Sequence, residues 1–334
     1  MSPGRYCHIK TLVTASLATA SITVLQWVFL QWLLSPLAAI AQQPILPARS
    51  FHNVFRAKPS FLPPKANPLP GGSFRTAHRT TTSNPASVYL MAGQSNLVGE
   101  ALVKNLPPQY GLTFPSVQIW GVSASPEDRR HTAFVDLAPG FDGYYESLGP
   151  ELSFGRRLVA LNQESIYLIK DGLGATNLAE DWNPSGLNNA YDNFIQTVDA
   201  ALNELNEQGI AYEIKGLVWM QGESDVWIPS AAAAYEENLR ALVDAVRSRY
   251  GTSLPIAIGL IRADLPTDDT RPLNQVRLAQ RSVAAADSRI VLIETDTLGK
   301  STDLLQSDDV HYNATGQVSL GTAFAEALQS ILEN

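Results

Sequence analysis

Residues 88–99, VYLMAGQSNLVG, constrain the fold more than any other stretch of the chain. Val88, Tyr89, Leu90 and Met91 form an unbroken apolar run. A strand covered on both faces reads this way, and such strands belong to parallel sheets sandwiched between helices. Ala92-Gly93 then lets the backbone turn, and Gln94-Ser95-Asn96 sets three polar side chains where the strand ends. In open parallel sheets ligands bind beyond the carboxyl ends of the strands. A serine placed there becomes a nucleophile when a base reaches it.

The rest of the chain repeats the theme. Apolar runs predict strands at 87–92, 117–120, 165–170, 214–220, 255–261 and 290–294. Between most of them lie helical patterns, at 151–161, 231–249, 272–286 and 314–332. The clearest helical pattern places Leu187, Tyr191, Phe194, Ile195, Val198, Ala201, Leu202 and Leu205 on one face at three-four spacing. This alternation predicts an α/β fold of three layers, αβα, around a mainly parallel central sheet. Reactive residues are then expected in the loops that follow strands.

Charge divides the chain. Residues 1–86 carry eight Lys or Arg and no acid, whereas 16 Lys or Arg meet 32 Asp or Glu beyond them. Within the basic part, residues 1–41 read as a secretory signal: Arg5 and Lys10, a mostly apolar run from Leu12 to Ile40, and a small-x-small site at Ala39-Ile40-Ala41. The same run is long enough to span a bilayer if it stays uncleaved, so membrane contact is expected only in that case. Residues 42–86 hold eight prolines and Gly71-Gly72 and read as a basic linker. The expected domain occupies 87–334 and resides in a secreted, periplasmic or cell-surface location. Its acidity argues against nucleic acid as a partner. The single cysteine, Cys7, precedes the domain, which leaves it no disulfide, thiol nucleophile or zinc–cysteine site.

Histidine is almost as scarce. Only His131 and His311 fall in the domain. His131, among Asp128, Arg129 and Arg130, reads as a solvated surface residue. His311 lies between the last strand and the last helix and is the natural base for Ser95. Asp308, three residues earlier, reaches back in a tight turn to orient the ring; Asp309 does so only with a different turn. Oxyanion donors are available from the Ser95 backbone N–H, from the segment Gly172-Leu173-Gly174-Ala175, where Gly174 permits close approach, and from the Gln221 side-chain amide.

Three blocks thus follow strands, Gly93–Asn96; Gly174-Ala175-Thr176-Asn177-Leu178 with Trp182; and Trp219-Met220-Gln221-Gly222-Glu223-Ser224-Asp225; a fourth, Asp308–His311, precedes the last helix. Together they resemble the SGNH-hydrolase superfamily, and within it the sialate O-acetylesterase-like carbohydrate esterases (carbohydrate esterase family six). That branch is marked by GQSN, G-G-T-x-L…W, W-x-Q-G-E-S-D and D-x-x-H blocks; Gly149-Pro150-Glu151 also resembles a segment the family carries before a helix. The resemblance spans 87–331 and implies a flavodoxin-like fold and removal of O-acetyl groups from a carbohydrate without metal or organic cofactor. It makes Ser95 the nucleophile, His311 the base and Asp308 its orienter, with Ser95, Gly174 and Gln221 forming the oxyanion hole. Ala175 stands where the family has its second glycine, so the donor in that block is Gly174 or Ala175. Gln94, Asn96 and Glu223 are candidate substrate contacts. Glu223 and Asp225 also read as carboxylates that hold loops together. Trp182, Trp227 and Tyr312 are aromatic faces on which a sugar could stack.

Other readings fit less of the sequence. An α/β-hydrolase elbow wants G-x-S-x-G, but position 97 is Leu. A metal-dependent hydrolase would draw on Asp225, Asp308, Asp309 and His311 with too few histidines for a tight transition-metal site. A nucleotide-binding protein would show a glycine-rich fingerprint after a strand. An esterase for lipid or small esters, or a non-catalytic carbohydrate-binding protein on the same scaffold, would keep the blocks and differ in the pocket.

Overall fold

The structure is a computed structural model that describes residues 84–122, 133–140 and 147–333. The signal segment, all but the last residues of the linker, and His131 lie outside the described residues.

In chain order the domain comprises β1 (Ala86–Gly93), α1 (Ser95–Val98), β2 (Ala101–Leu102), β3 (Phe114–Val122), β4 (Val135–Leu137), β5 (Ser147–Leu148), α2 (Glu151–Asn162), β6 (Ile166–Gly172), α3 (Ala190–Glu207), β7 (Tyr212–Met220), α4 (Glu223–Val226), α5 (Pro229–Tyr250), β8 (Ile256–Gly259), α6 (Thr270–Ala285), β9 (Ile290–Ile293), α7 (Ser301–Leu304) and α8 (Ala314–Leu332). Among the described residues seven strands form one sheet in the order β4-β3-β6-β1-β7-β8-β9, parallel throughout except for the edge strand β4. The three-layer, mainly parallel α/β architecture is therefore as the sequence predicts. A simple flavodoxin winding runs 2-1-3-4-5. Here the second and third parallel strands, β3 and β6, both lie on the same side of β1.

β1 is central and buried along most of its length. Its side chains alternate between two cores, as a strand's period of two requires. Val88, Leu90 and Ala92 join one apolar core with Phe194 and Val198 of α3, Tyr235 and Leu239 of α5, and Val276 of α6. Tyr89 and Met91 face the opposite side, toward Phe154 and Leu158 of α2 and Leu320 and Phe324 of α8. Helices on both faces explain why the strands read as continuous apolar runs.

Two predicted details change. Leu187 does not join the apolar face of α3 and is 85% exposed. Asn188 adopts φ +57° and Asn189 caps the helix by accepting from the Asp192 N–H, so α3 starts only at Ala190. The antiparallel edge β4 and the two-residue ribbon β2–β5 carry too few residues to leave a periodic pattern.

A buried ion pair lies beneath α1. Lys170 Nζ on β6 donates to Glu151 Oε2 at the start of α2, 2.7 Å away, and to the Val98 carbonyl, also at 2.7 Å. Glu151 Oε1 accepts from the Gly149 N–H at 3.0 Å. The pair fixes the carboxyl end of α1 to β6. Removing one partner of a buried pair leaves an uncompensated charge and costs about 3–5 kcal/mol. Lys170→Met should accordingly lower Tm by roughly 10 °C, and the double variant Lys170→Met/Glu151→Leu should recover much of the loss. An unchanged Tm in the single variant would show that the pair does not anchor α1.

Candidate active site

Strand pairing brings the sequence blocks together. Gly93, the last residue of β1, lies opposite Gly172 at the end of β6 and Met220 at the end of β7. Three loops therefore leave the sheet side by side. Gly93 adopts φ +154°, and a Cβ there would stand 2.0 Å from the Met220 carbonyl oxygen, so only glycine fits. The chain turns at once into α1, whose first residue is Ser95. The N–H groups of a helix's first turn have no carbonyl within the helix. The Ser95 N–H is one of these.

His311 comes from the loop between α7 and α8. Its Nε2 is 3.0 Å from Ser95 Oγ and its Nδ1 is 2.8 Å from Asp308 Oδ2. The other Asp308 oxygen accepts from the N–H groups of Val310, at 2.9 Å, and His311, at 3.0 Å. Burial pushes the Asp308 carboxyl up, but the hydrogen bonds from the His311 ring and the two backbone N–H groups outweigh it and hold the group at about 2. For His311, burial works against the charged ring. The Asp308 hydrogen bond and the charges of Glu100, Asp308 and Glu223 overcome that, so its pKa lies above the ordinary 6.5. Asp309 adopts φ +59° at the turn, and its N–H donates to the Gln306 carbonyl. Of the two aspartates, Asp308 is the one on the ring.

Gly174 stands across from the serine: a Cβ on it would lie 3.7 Å from Ser95 Cβ. The loop that carries it is closed by Thr176, whose hydroxyl donates to the Leu173 carbonyl and accepts from the Trp182 indole N–H at 2.9 Å. Asp225 secures the same loop from the β7 side by accepting from the Leu178 N–H and the Gln221 amide. Burial raises the Asp225 carboxyl to about 6 against these hydrogen bonds.

Several expected substrate contacts belong instead to the scaffold. Trp182 is buried and packs edge-on against Trp219 with ring centroids 5.0 Å apart, so it offers no face to a sugar. Tyr312 is likewise buried. Gln94 is buried, and its side-chain oxygen Oε1 accepts from the Gly222 and Ser224 N–H groups. Asn96 donates to Glu223 Oε1 at 2.7 Å and to the Val310 carbonyl, and accepts from the Tyr312 N–H at 3.1 Å. These bonds tie α1 to α4 and to the His311 loop. Glu223 is buried behind Asn96, and burial pushes its carboxyl up against the Asn96 hydrogen bond. The Gln221 amide donates to the Thr176 carbonyl and to Asp225, while its oxygen accepts from Tyr235. Both amide hydrogens are thereby engaged, which removes Gln221 from the oxyanion donors in this conformation. Trp227, 36% exposed, is the aromatic residue of the set that remains on the surface. Among the described residues no group of three or more His, Cys, Asp or Glu gathers as metal ligands.

Sequence reasoning missed Glu100, whose carboxylate lies 3.7 Å from His311 Nε2. A lone acid after Gly99 carries no spacing signal. It also missed Thr176 as the partner of Trp182, although both belong to one block.

Ala175 adopts φ +57°, a conformation that costs an L-residue about 1–2 kcal/mol. Ala175→Gly should relieve that strain and, net of glycine's greater entropy loss, raise stability by about 0.5–1 kcal/mol. Differential scanning calorimetry should show a higher Tm. A lower one would mean that the alanine methyl contributes packing that outweighs the strain.

Known proteins resemble the chain over most of the domain. A family model described as carbohydrate esterase, sialic acid-specific acetylesterase, matches residues 85–330. A probable carbohydrate esterase of Arabidopsis thaliana is 25% identical over 263 residues, 74% of this chain and 91% of the relative. The solved structure of an Arabidopsis thaliana protein superposes with a TM-score of 0.58 at 23% identity, over 74% of this chain and 98% of that one. NanS superposes with a TM-score of 0.55 at 16% identity, over 75% of this chain and 98% of that one. The chain belongs to the sialic acid-specific acetylesterase family of carbohydrate esterases and is a carboxylic ester hydrolase.

Proposed function

We propose that the protein removes O-acetyl groups from a carbohydrate by two-step acyl transfer through Ser95. The observation that carries this reading is the unbroken chain of contacts Ser95 Oγ–His311 Nε2–His311 Nδ1–Asp308 Oδ2, with links of 3.0 and 2.8 Å.

Ser95 Oγ attacks the ester carbonyl while His311 Nε2 takes its proton. The charge that develops on the carbonyl oxygen faces the Ser95 N–H at the start of α1 and the backbone at Gly174. His311, now an imidazolium held by Asp308, returns the proton to the departing sugar hydroxyl and leaves an acetyl-serine. A water deprotonated by the same ring attacks this ester, and its collapse releases acetate and restores the Ser95 hydroxyl. Every proton accepted by His311 is returned, so the cycle needs no other acid or base. Asp308 stays ionised throughout, which keeps Nδ1–H directed at the carboxylate and Nε2 free to accept.

Acetate release from acetylated xylan, acetylated pectin or O-acetyl sialic acid tests the reaction class. At least one should be deacetylated by the wild-type protein and none by Ser95→Ala, which should fold normally. Substantial activity in the variant would remove Ser95 as the nucleophile.

The pH profile tests the base. Because the neutral ring is the active form, kcat/KM should rise with pH through one ionisation above the ordinary imidazole value of 6.5. Asp308→Asn should move that limb to lower pH and cost about 10³–10⁴ in kcat, whereas Asp309→Asn should cost much less. The reverse order would make Asp309 the orienting group.

A further inference from the structure

Glu100 stands just after Gly99, the residue that caps α1, and has no role in the acyl-transfer cycle. Its backbone carbonyl accepts from Gln306 Nε2 at 3.1 Å, which pins the residue to the loop that carries His311. Its carboxylate bridges the two walls of the site. Oε2 is 3.7 Å from His311 Nε2, and Oε1 is 3.9 Å from the position a Cβ would occupy on Gly174. The side chain is 47% exposed, so it meets solvent and arriving substrate rather than the core. An ester poised for attack places its carbonyl oxygen toward Ser95 and Gly174 and its leaving oxygen toward Nε2. The leaving sugar must then pass within a few ångströms of the Glu100 carboxylate.

Acidic groups dominate the charge around His311: the largest charge effects on its ring come from Glu100, Asp308 and Glu223. Beyond residue 86 acids outnumber bases 32 to 16. A carboxylate-bearing sugar would meet repulsion at the reacting centre itself, where partial burial weakens solvent screening.

We infer that Glu100 is a specificity-determining residue that makes this esterase select uncharged acetylated sugars and discriminate against acidic ones such as sialic acids and uronic acids. This rests on the proposed esterase reading and deepens it by naming the substrate class. It also sets the chain apart from the acidic sugar in its family's description. Glu100 acts on the leaving group and takes no part in bond making or breaking.

A matched pair of substrates tests the inference: a mono-acetylated methyl glucoside and the corresponding acetylated methyl glucuronate, which differ in CH₂OH against COO⁻. The purified wild-type protein should prefer the glucoside by about tenfold in kcat/KM at low ionic strength, and added salt should narrow the gap. In Glu100→Gln the preference should fall at least threefold, with the glucuronate gaining. The same variant should shift the acidic limb of the glucoside profile to lower pH, because a negative charge beside His311 is removed; Asp308 and Glu223 remain. A merely structural residue would move neither readout. A wild-type preference below twofold, or one that Glu100→Gln leaves within twofold, would overturn the inference while leaving the esterase reading intact. Hydrolysis of neither sugar, nor of 4-nitrophenyl acetate, would overturn the esterase reading and the inference with it.

Discussion

Backbone pairing along β1 sets Gly93 level with Gly172 on one side and with Met220 on the other. Everything chemical about the domain depends on that register. The three loops that leave these strands carry Ser95, Gly174 and the Gln221–Asp225 segment, which lie far apart in sequence and adjacent in space. A shift of one residue would turn the side chains of β1 to the wrong cores, so two apolar cores enforce the level at which the strands stop. The tight passage at Gly93, against the Met220 carbonyl, then leaves the chain no route except directly into α1.

Much of the polar chemistry around the site holds loops in place. Asn96 joins α1, which opens with Ser95, to Glu223 and to the His311 loop. Asp225 and Gln221 join β7 to the Gly174 loop. Lys170 and Glu151 hold the far end of α1. All of these bonds are buried except the part-buried one from Asn96 to the Val310 carbonyl, and leaving a buried partner unmet costs the full desolvation of the group. The geometry at Ser95 Oγ is thus fixed before any substrate arrives, as electrostatic preorganisation requires. Ser95 and Gly174 are thus held against each other, with Glu100 as an exposed neighbour of His311.

The sequence revealed those parts of the molecule that depend on local pattern. Strands buried on both faces must be apolar throughout, and helices must show three-four spacing, so the layers were readable. The residues at strand ends followed from the same logic, and Asp308 was separable from Asp309 by the reach of a turn. Partnerships across the fold were not readable. Trp182 after a polar loop looks the same whether it faces solvent or, as here, Trp219 on β7. The Gln221 amide could have pointed into the cleft; its engagement with Thr176, Asp225 and Tyr235 is decided by three separate segments. Glu100 became visible only when α1 and the His311 loop were brought within 3.7 Å.

Covalent trapping tests the central claim, that a base-activated serine sits at the end of β1. The protein would be treated with a phosphonate ester that mimics the tetrahedral intermediate, and the adduct located by mass spectrometry of peptides. A single modification is expected, on Ser95, and it should be lost in His311→Ala. An unmodified Ser95, or a modification on another residue, would contradict it.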